Sequence, residues 1–251
     1  MNDAQRRVVV VVVTGAGTGI GRATARAFSV DGAHVLAVGR RAAPLAETAA
    51  GHPLITPLTA DVTAPDAPDR VVGAALHRYG RLDVLVNNAG IAGGGPLAEL
   101  DEAAARRQLD TNLLAPVRLA RATVAALADT RGVIVNVTTS VGQRAWPGSS
   151  VYAAGKAALD SLTRSWAVEL APRGIRVVAV APGAIDTPIG AHQGLSPEQR
   201  AAVRRWQLAH TPLGRIGGPQ DVAWAIRQLC DPAAGFVTGV VLPVDGGAVV
   251  G

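Results

Sequence analysis

The segment "VVVVVVTGAGTGIG", residues 8–21, joins a run of six valines to a glycine-rich run. Six β-branched residues without interruption predict a strand buried on both faces, as in a parallel sheet covered by helices. Gly15, Gly19 and Gly21 would then allow a tight turn and bring the backbone close to a pyrophosphate, whose charge is favoured by free N–H groups at a helix N-terminus. The segment therefore predicts a strand, a phosphate-binding turn and a helix, in that order.

Outward from this segment, short apolar runs alternate with helical stretches. Strands are predicted at Val8–Val13, His34–Val38, Asp83–Val86, Val133–Val137, Arg176–Val180 and Val240–Val244. Helices are predicted at Ile20–Val30, Asp66–Tyr79, Glu102–Ala128 and Val151–Leu170. This alternation predicts an α/β fold, namely a doubly wound Rossmann-type parallel sheet of about seven strands with helices on both faces. We find no linker, and we expect a single domain over residues 1–251.

Composition excludes several classes of protein. The chain has 251 residues, 49% hydrophobic and 17% charged, which is typical of a globular domain. No segment approaches about 18 consecutive apolar residues, so no membrane helix is predicted. The single cysteine, Cys230, excludes an internal disulfide framework and favours a reducing cytoplasm. The net charge of +5 comes without a long basic run, so solvated arginines and an anionic cofactor explain it, and we expect no nucleic-acid partner.

The glycine spacing points to a family. Gly15, Gly19 and Gly21 follow Thr14 as T-G-x-x-x-G-x-G, unlike the common dinucleotide pattern G-x-G-x-x-G. In this form the segment resembles the short-chain dehydrogenase/reductase family. Four further segments resemble that family in order and spacing: "NNAG" (87–90), "YAAGK" (152–156), "APGAIDTP" (181–188) and the C-terminal "GRIGGPQDVA…VTGVVLPVDGG". The resemblance covers essentially the whole chain.

The end of the second strand bears on the choice of cofactor. A carboxylate there would hold the ribose hydroxyls of NAD and repel a 2′-phosphate. In "AVGRR", Gly39 stands where NAD-preferring members of the family carry Asp, and Arg40 and Arg41 follow. Two guanidinium groups would bind a phosphate through charge-assisted hydrogen bonds. We therefore expect NADP(H), with NAD(H) as the alternative; Thr18 weakens this, because some NADP-preferring relatives carry a basic residue there.

The resemblance implies further cofactor contacts. Asp61 and Val62 would flank the adenine, and Asn88, Ala89 and Gly90 would line the adenosine ribose side. Ile185 and Thr187 would meet the nicotinamide carboxamide. The remaining contacts would come from the glycine turn and the later loop, at Thr14, Gly15, Gly17, Thr18, Gly19, Ile20, Gly21, Pro182 and Gly183.

Tyr152 and Lys156 are the candidate catalytic pair. Four residues apart, they would share one helix face, and Lys156 is the only lysine among 24 basic residues. An isolated pair of this kind is usually an ordinary exposed one. Reduction of a ketone needs a proton donor, and the reverse reaction needs a base. An ammonium about 5 Å away, at an effective dielectric of about 20, would stabilise tyrosinate by about 3 kcal/mol and lower the pKa of Tyr152 by about two. By resemblance, Lys156 also holds the nicotinamide ribose.

Two further positions complete the resemblance. Asn112, in "DTNLLAP", would position a water that extends the proton path to solvent. The family normally carries Ser thirteen residues before the Tyr. Here "NVTTSVG" places Thr139 at that position and Ser140 one residue later. Threonine has the same hydroxyl donor, so we favour Thr139 and keep Ser140 as the alternative.

The substrate region would include the loops after Gly90 and Gly183, residues Gln143–Trp146, and a polar lid at about 187–212. Trp146 and Trp206 would supply either apolar walls or ordinary packing. His192 and His210 lack the cysteine or carboxylate neighbours of a metal site, so no metal is expected.

The resemblance implies hydride transfer between NADP(H) and a small-molecule carbonyl compound or secondary alcohol, with Tyr152 as general acid or base. Two alternatives remain open. The first is an acyl-carrier-linked ketoreductase of fatty-acid or polyketide synthesis, and the second is a non-catalytic NADP(H)-binding sensor or scaffold. Relatives commonly form homotetramers, or dimers, that pair the long helices Glu102–Ala128 and Val151–Leu170 and their C-terminal segments.

Overall fold

The computed structural model describes residues 8–140, 148–189 and 196–251. In these residues seven strands form one sheet in the order β3-β2-β1-β4-β5-β6-β7, and every neighbouring pair is parallel. The strands are β1 (Val10–Thr14), β2 (His34–Gly39), β3 (Ile55–Thr59), β4 (Val84–Asn87), β5 (Val133–Val137), β6 (Arg176–Pro182) and β7 (Val241–Val244). The predicted Rossmann-type α/β fold is confirmed.

Helices cover both faces of the sheet. Their bounds are α1 (Gly19–Val30), α2 (Ala42–Ala49), α3 (Ala67–Tyr79), α4 (Glu102–Leu109), α5 (Ala115–Thr130), α6 (Ser150–Leu170), α7 (Pro197–Ala209) and α8 (Pro219–Cys230). Buried residues of α1, α2 and α8 pack in one core, and those of α3, α5 and α6 pack in another on the opposite face. In the described residues no helix has both the length and the apolar character needed to span a bilayer.

The valine run supplies both cores at once. Val11 and Val13 point into the core formed with α1 and α8, whereas Val10 and Val12 point into the other core, and all four are fully buried. Side chains alternate between the faces of a strand, so a central parallel strand needs apolar residues at every position. Burying each valine contributes roughly 1.5–3 kcal/mol. This explains why the run is continuous rather than alternating.

The predicted long helix Glu102–Ala128 is wrong, because the structure divides it. α4 ends at Leu109, a wide π-helical turn spans Asp110–Leu114, and α5 begins at Ala115. Pro116 has no N–H to donate to the carbonyl of Asn112, four residues earlier, and its ring crowds that carbonyl. The N–H of Ala115 instead bonds to Asp110 O, five residues back. Asn112 is therefore carried on a bulge of the kind often found at functional sites.

Other elements were not predicted. β3, α2 and α8 were missed, and α7 lies inside the stretch that the sequence analysis treated as a lid. Its start has a recognisable signal, since Ser196 and Gln199 form a reciprocal capping box and Pro197 occupies the first helical position. Residues 190–195 of the proposed lid lie outside the described residues.

The topology places the site. β2 and β3 lie on one side of β1, and β4 to β7 lie on the other, so the chain reverses its direction of winding between β1 and β4. Val13 pairs with Val86, which brings the carboxyl ends of these two strands side by side. Ligands of open α/β sheets bind in the crevice at such a point. Thr14 and Asn87, the last residues of β1 and β4, therefore mark the edge where the predicted site residues should gather.

Candidate active site

The end of β1 is tied to the loop that follows β4. The Thr14 hydroxyl donates to Val86 O at 3.2 Å and accepts the N–H groups of Asn88 and Ala89, each at 3.0 Å. The Asn88 amide in turn donates to Thr14 O at 2.8 Å. Thr14 is 1% exposed. Its buried hydroxyl thus joins the end of β1 to the loop after β4, and Thr14 does not line the cleft.

The glycine turn is packed too tightly for side chains at two positions. A Cβ on Gly21 would lie 2.3 Å from Gly15 O and 2.5 Å from Asn88 Nδ2. Gly15 itself has φ 66°, a left-handed conformation that favours glycine. Arg22, which the sequence analysis did not single out, supports the turn from outside. It donates to Gly17 O and pairs with Glu47 at 2.8 Å.

The first turn of α1 faces the cleft. Thr18 precedes the helix without a side-chain capping bond, and the first turn contains no acidic residue. Thr18, Gly19, Ile20 and Gly21 all line the cleft. The free N–H groups and the positive end of the helix dipole are therefore directed at a site for negative charge. This geometry fits the pyrophosphate of a dinucleotide.

Arginines border the cleft at the end of β2. Arg40 and Arg41 are exposed and line it, and Arg40 also borders a neighbouring cavity that contains Asp61 and Val62. Burial by itself would raise the pKa of Asp61, but hydrogen bonds from the N–H and hydroxyl of Thr63, together with the Arg40 charge, hold this pKa below its ordinary value. The Asp61 side chain is thus a fixed, charged acceptor beside Arg40.

One further arginine on this cavity was missed from the sequence. Arg107 of α4 borders the cavity with Asp61 and lies 3.7 Å from Asp101. No motif signals it, because α4 approaches the cavity only through the tertiary fold.

A buried polar chain fixes α6 on the sheet. Asn87 Nδ2 donates to Asn136 Oδ1 at 3.0 Å, and Asn136 Nδ2 donates to Thr163 Oγ1 at 2.9 Å. These residues belong to β4, β5 and α6, and each is at most 2% exposed. Hydrogen bonds in such a dry setting are costly to break, so they hold α6 in one register. That register places Tyr152 and Lys156 beside the end of β5.

Tyr152, Lys156 and Thr139 meet at the cleft wall, with Thr138 next to them. Lys156 is 4% exposed, and its Nζ donates to Val137 O at 2.7 Å. The phenol of Tyr152 is hydrogen-bonded to the side chain of Thr139. The structure therefore brings Thr139 to the phenol. Ser140, the alternative, is buried and does not line this cleft.

The pKa of Tyr152 shifts in the direction opposite to the prediction. Burial raises it above its ordinary value, and the hydrogen bond with Thr139 lowers it only in part. The expected lowering assumed an ammonium acting through a partly solvated space. Removing a phenolate from water disfavours the charged form, and in this structure that effect is the largest. The phenol is therefore held protonated at neutral pH.

Lys156 itself is perturbed. Burial lowers its pKa to about 8, and the charge of Asp160, one helical turn further along, opposes that shift. A buried ammonium is costly unless it is paired with an opposite charge. Burial therefore lowers the pKa of Lys156, and the charge of Asp160 offsets part of that lowering.

Asn112 is anchored at both ends of its amide. Its Nδ2 donates to Ile91 O at 2.8 Å, and its Oδ1 accepts Ile91 N–H at 2.9 Å. A Cβ on Gly90 would lie 3.2 Å from Asn112 Oδ1 and 3.6 Å from Lys156 Nζ. Asn112 thus fastens the loop after β4 against the lysine. By resemblance, Asn112 would position a water on the proton path to solvent, and that role remains a prediction.

Most of the predicted site residues line one cleft: Gly15, Thr18, Gly19, Ile20, Gly21, Arg40, Arg41, Asn88, Ala89, Gly90, Thr139, Tyr152, Lys156, Pro182, Gly183, Ile185 and Thr187. Asp61 and Val62 line the adjoining cavity. Neither space is lined by Thr14, Gly17, Asn112 or Ser140. The cleft also includes Ile91, Pro188 and Ile189, which lie in the loop after Gly90 and in the proposed lid, and Val137 and Thr138, which were not predicted as site residues.

Several substrate-region predictions have a different outcome. Gln143–Trp146 and His192 lie outside the described residues. Trp206, on α7, stacks on His210 with ring centroids 4.0 Å apart, and the structure does not place it on the cleft wall. Within the described residues no three metal-ligating side chains cluster.

Comparison with known proteins now identifies the family. A family model described as enoyl-(acyl carrier protein) reductase matches residues 15–249. The cis-4-hydroxycyclohexanecarboxylate dehydrogenase of Sinomonas cyclohexanicum is 43% identical over 244 residues, which cover 95% of this chain and 95% of that protein. The chain belongs to the short-chain dehydrogenase/reductase family. Membership makes it a relative of oxidoreductases throughout its matched length.

Solved structures of short-chain dehydrogenases/reductases share the fold. A 3-ketoacyl-(acyl-carrier-protein) reductase from Brucella melitensis, complexed with NADH, gives a TM-score of 0.89 at 32% identity and covers 96% of this chain and 98% of that one. An actinorhodin polyketide ketoreductase variant with NADPH gives 0.90 at 32% identity and covers 97% and 98%. One of these two proteins holds NADH and the other NADPH.

Proposed function

We propose that this short-chain dehydrogenase/reductase interconverts a ketone or aldehyde and a secondary alcohol, using NADP(H). The observation that carries the proposal is the convergence of a phenol, a hydroxyl and an ammonium on one cleft, which the first turn of α1 also lines. Nicotinamide, when bound, supplies or accepts the hydride. The residues of the chain supply the proton, the orientation of the substrate and the binding of the phosphates.

Tyr152 serves as the general acid in reduction. Burial keeps its phenol protonated, so the proton is available as negative charge develops on the substrate oxygen. The Thr139 hydroxyl lies beside the phenol and donates to the same oxygen. Together they form a two-donor site for an alkoxide, and Tyr152 acts as the base in the reverse direction.

Lys156 supports Tyr152 through charge. Once the phenol has given up its proton, a nearby ammonium stabilises the tyrosinate. The compact ammonium also has donors left after its bond to Val137 O, and these would hold ribose hydroxyls. Asn112 holds the loop at Gly90 and Ile91 beside this ammonium.

The preference for NADP(H) depends on Arg40 and Arg41. Membership of the family does not determine whether the cofactor is NADH or NADPH, because one structural relative holds NADH and the other NADPH. In this chain Gly39 lacks a carboxylate that would repel a 2′-phosphate, and both arginines border the cleft. Exchange of Arg40 for Asp should shift the ratio of kcat/KM values toward NADH. Arg173→Asp, at an exposed arginine after α6, is the matched control. An unchanged ratio for Arg40→Asp would assign the preference elsewhere.

The reaction is tested with a panel of carbonyl compounds and alcohols, followed by NADPH absorbance. Tyr152→Phe removes only the phenol oxygen and should abolish turnover. Tyr79→Phe is a matched control, because Tyr79 is the only other tyrosine and donates to Thr56 Oγ1 at 2.7 Å, away from the cleft. Undiminished reduction by Tyr152→Phe would contradict the mechanism.

A second candidate is a ketoreductase whose substrate is tethered to an acyl carrier protein. The family model and one structural relative carry carrier-protein names. In this chain α7 carries exposed arginines, and one of them, Arg204, lies 3.8 Å from Asp186, which stands between cleft residues Ile185 and Thr187. A basic rim suits an acidic carrier.

The two candidates differ in KM. If the substrate is tethered, a 3-oxoacyl carrier protein should have a much lower KM than the same acyl group on a short thiol. Arg204→Gln combined with Arg205→Gln should raise the KM for the carrier alone. Equal KM values for both forms of substrate would favour the free carbonyl compound.

We also propose that the protein assembles as a homotetramer, as the family resemblance implies. Large apolar side chains are exposed on α6 (Val168), on α8 (Trp224), and before and after β7 (Phe236 and Val250). β7 is the last strand of the sheet, so its outer edge is open within the described residues. Light scattering coupled to size exclusion measures the mass, and a monomeric mass at micromolar concentration would refute the assembly.

A further inference from the structure

Asp160 is a buried carboxyl that the proposed reaction does not use. It lies on α6 one turn after Lys156 and is 6% exposed. Its Oδ1 has no hydrogen-bond partner among the described residues. Burying a carboxyl group with one oxygen unpaired is costly, and such groups in native structures need an explanation.

The contacts of Asp160 parallel those of Lys156. Lys156 binds the backbone oxygen of Val137, and Asp160 is hydrogen-bonded to the side chain of the next residue, Thr138. The ammonium and the carboxyl group are thus held against the same end of β5. Thr138 lines the cleft, so the carboxyl group is one side chain removed from the reacting groups.

The sequence of α6 places four ionisable groups in a row. Tyr152, Lys156, Asp160 and Arg164 follow at intervals of four, which puts them on one side of the helix. The first lines the cleft, the next two are buried, and Arg164 is exposed. The row therefore runs from the reaction site to solvent, with two buried groups of opposite charge, Lys156 and Asp160, in its middle.

The charges of the two buried groups depend on each other. Burial lowers the pKa of Lys156 to about 8, and Asp160 opposes this. Burial raises the pKa of Asp160, while the hydrogen bond with Thr138 and then the charges of Arg164 and Lys156 lower it. α4, the turn Asp110–Leu114 and strands β5 and β6 also pack against α6, and their described charged side chains shift neither pKa.

We propose that Asp160 is a positioning residue for the reaction: its carboxylate keeps the buried ammonium of Lys156 charged and thereby sets the upper pH limit of reduction. The part that concerns reduction rests on the proposed function. The electrostatic part concerns this chain alone. Asp160 does not touch the substrate oxygen and acts only through the lysine.

Lys156 is the only lysine in the chain, and this makes the test direct. Protein labelled with isotopic lysine gives one side-chain signal, whose shift against pH reports the ionisation of Lys156 without any need for turnover. In the wild type the midpoint should lie at about 8. Asp160→Asn should lower it by about one to two pH units, the effect of removing one charge a turn away at an effective dielectric of about 20.

Glu169→Gln is the matched control. It removes one carboxylate from the same helix, but at an exposed position far from the cleft, and should leave the midpoint in place. Asp160→Glu keeps the charge, so its Lys156 midpoint should stay close to that of the wild type. An unchanged midpoint in folded Asp160→Asn overturns the proposal. Asp160→Ser carries the same test if the amide variant does not fold. In addition, a wild-type midpoint below neutral pH overturns it without any variant.

The second readout is the pH profile of reduction. The ammonium is lost as pH rises through the Lys156 midpoint, so the alkaline limb of kcat/KM should move down with it in Asp160→Asn. At pH 7 the loss is about two- to tenfold for shifts of about one to two pH units. A purely structural role would lower activity at every pH and leave the limb unmoved. A wild type that shows the lysine titration but no turnover would refute the proposed function and leave the electrostatic role standing.

Discussion

Replacing Thr139 by Val removes one hydroxyl and little else. Valine has nearly the same shape and is also branched at Cβ, so it should keep the side-chain conformation and the width of the cleft. Thr139 is 5% exposed and is hydrogen-bonded to the phenol of Tyr152, and its hydroxyl lies 3.4 Å from Pro182 O. We expect Thr139→Val to fold and to bind cofactor while losing most of its turnover.

The size of the loss follows from two interactions of the hydroxyl, the proposed one with the substrate oxygen and the one with the phenol. Removing one preorganised donor to a developing oxyanion lowers kcat by about 10²–10³. Losing the hydrogen bond to the phenol, which lowers the pKa of Tyr152, should raise that pKa further. Alcohol oxidation requires the deprotonated phenol, so its acid limb should move to higher pH. Reduction requires the protonated phenol and should lose rate without an acid-side shift.

Steady-state kcat and kcat/KM measured in both directions across pH provide the assay. Ser140→Ala is the matched control, because Ser140 is buried next in sequence but does not line the cleft, and its turnover should stay close to wild type. Thr139→Ser keeps the hydroxyl and should remain active. If Ser140→Ala loses turnover while Thr139→Val keeps it, the assignment is wrong. Equal losses in the two variants would also refute it.

Gly21→Ala should weaken cofactor affinity at least tenfold, because its Cβ would overlap Gly15 O by about 1 Å. Gly73→Ala makes the same change in α3, where the added Cβ has no atom within 4 Å, and should instead increase stability by about 0.5–1 kcal/mol. Cofactor titration and thermal unfolding measure the two effects, and equal affinities in both variants would contradict the packing argument. Leu85→Ala, in the fully buried centre of β4, should cost about 2–5 kcal/mol in urea unfolding. Asn112→Ala should cost about 1–3 kcal/mol and reduce turnover, because the N–H and C=O of Ile91 lose their partner; full stability in that variant would show that the two bonds contribute nothing.

Local patterns in the chain were enough to predict the fold class. The valine run predicted a strand with two buried faces, because a parallel central strand has no polar side. The glycine spacing predicted the turn, because a Cβ at Gly21 has no room beside Gly15. Predictions failed where the pattern was not local. Pro116 was visible in the sequence, yet the long helix was predicted without a break. The turn at Asp110–Leu114 forms because Pro116 cannot donate a backbone hydrogen bond to the carbonyl of Asn112.

The sequence by itself determined the alternation of strands and helices, the phosphate turn and the spacing of Tyr152 and Lys156, because each follows from periodicity or from the shape of a single residue type. Only the tertiary structure decided how deeply these groups are buried. Burial depends on every element that packs around a site, so the rise in the pKa of Tyr152 and the unpaired buried Oδ1 of Asp160 have no signal along the chain. Charges placed one helical turn apart are easy to read from a sequence; whether water screens them is a property of the folded molecule.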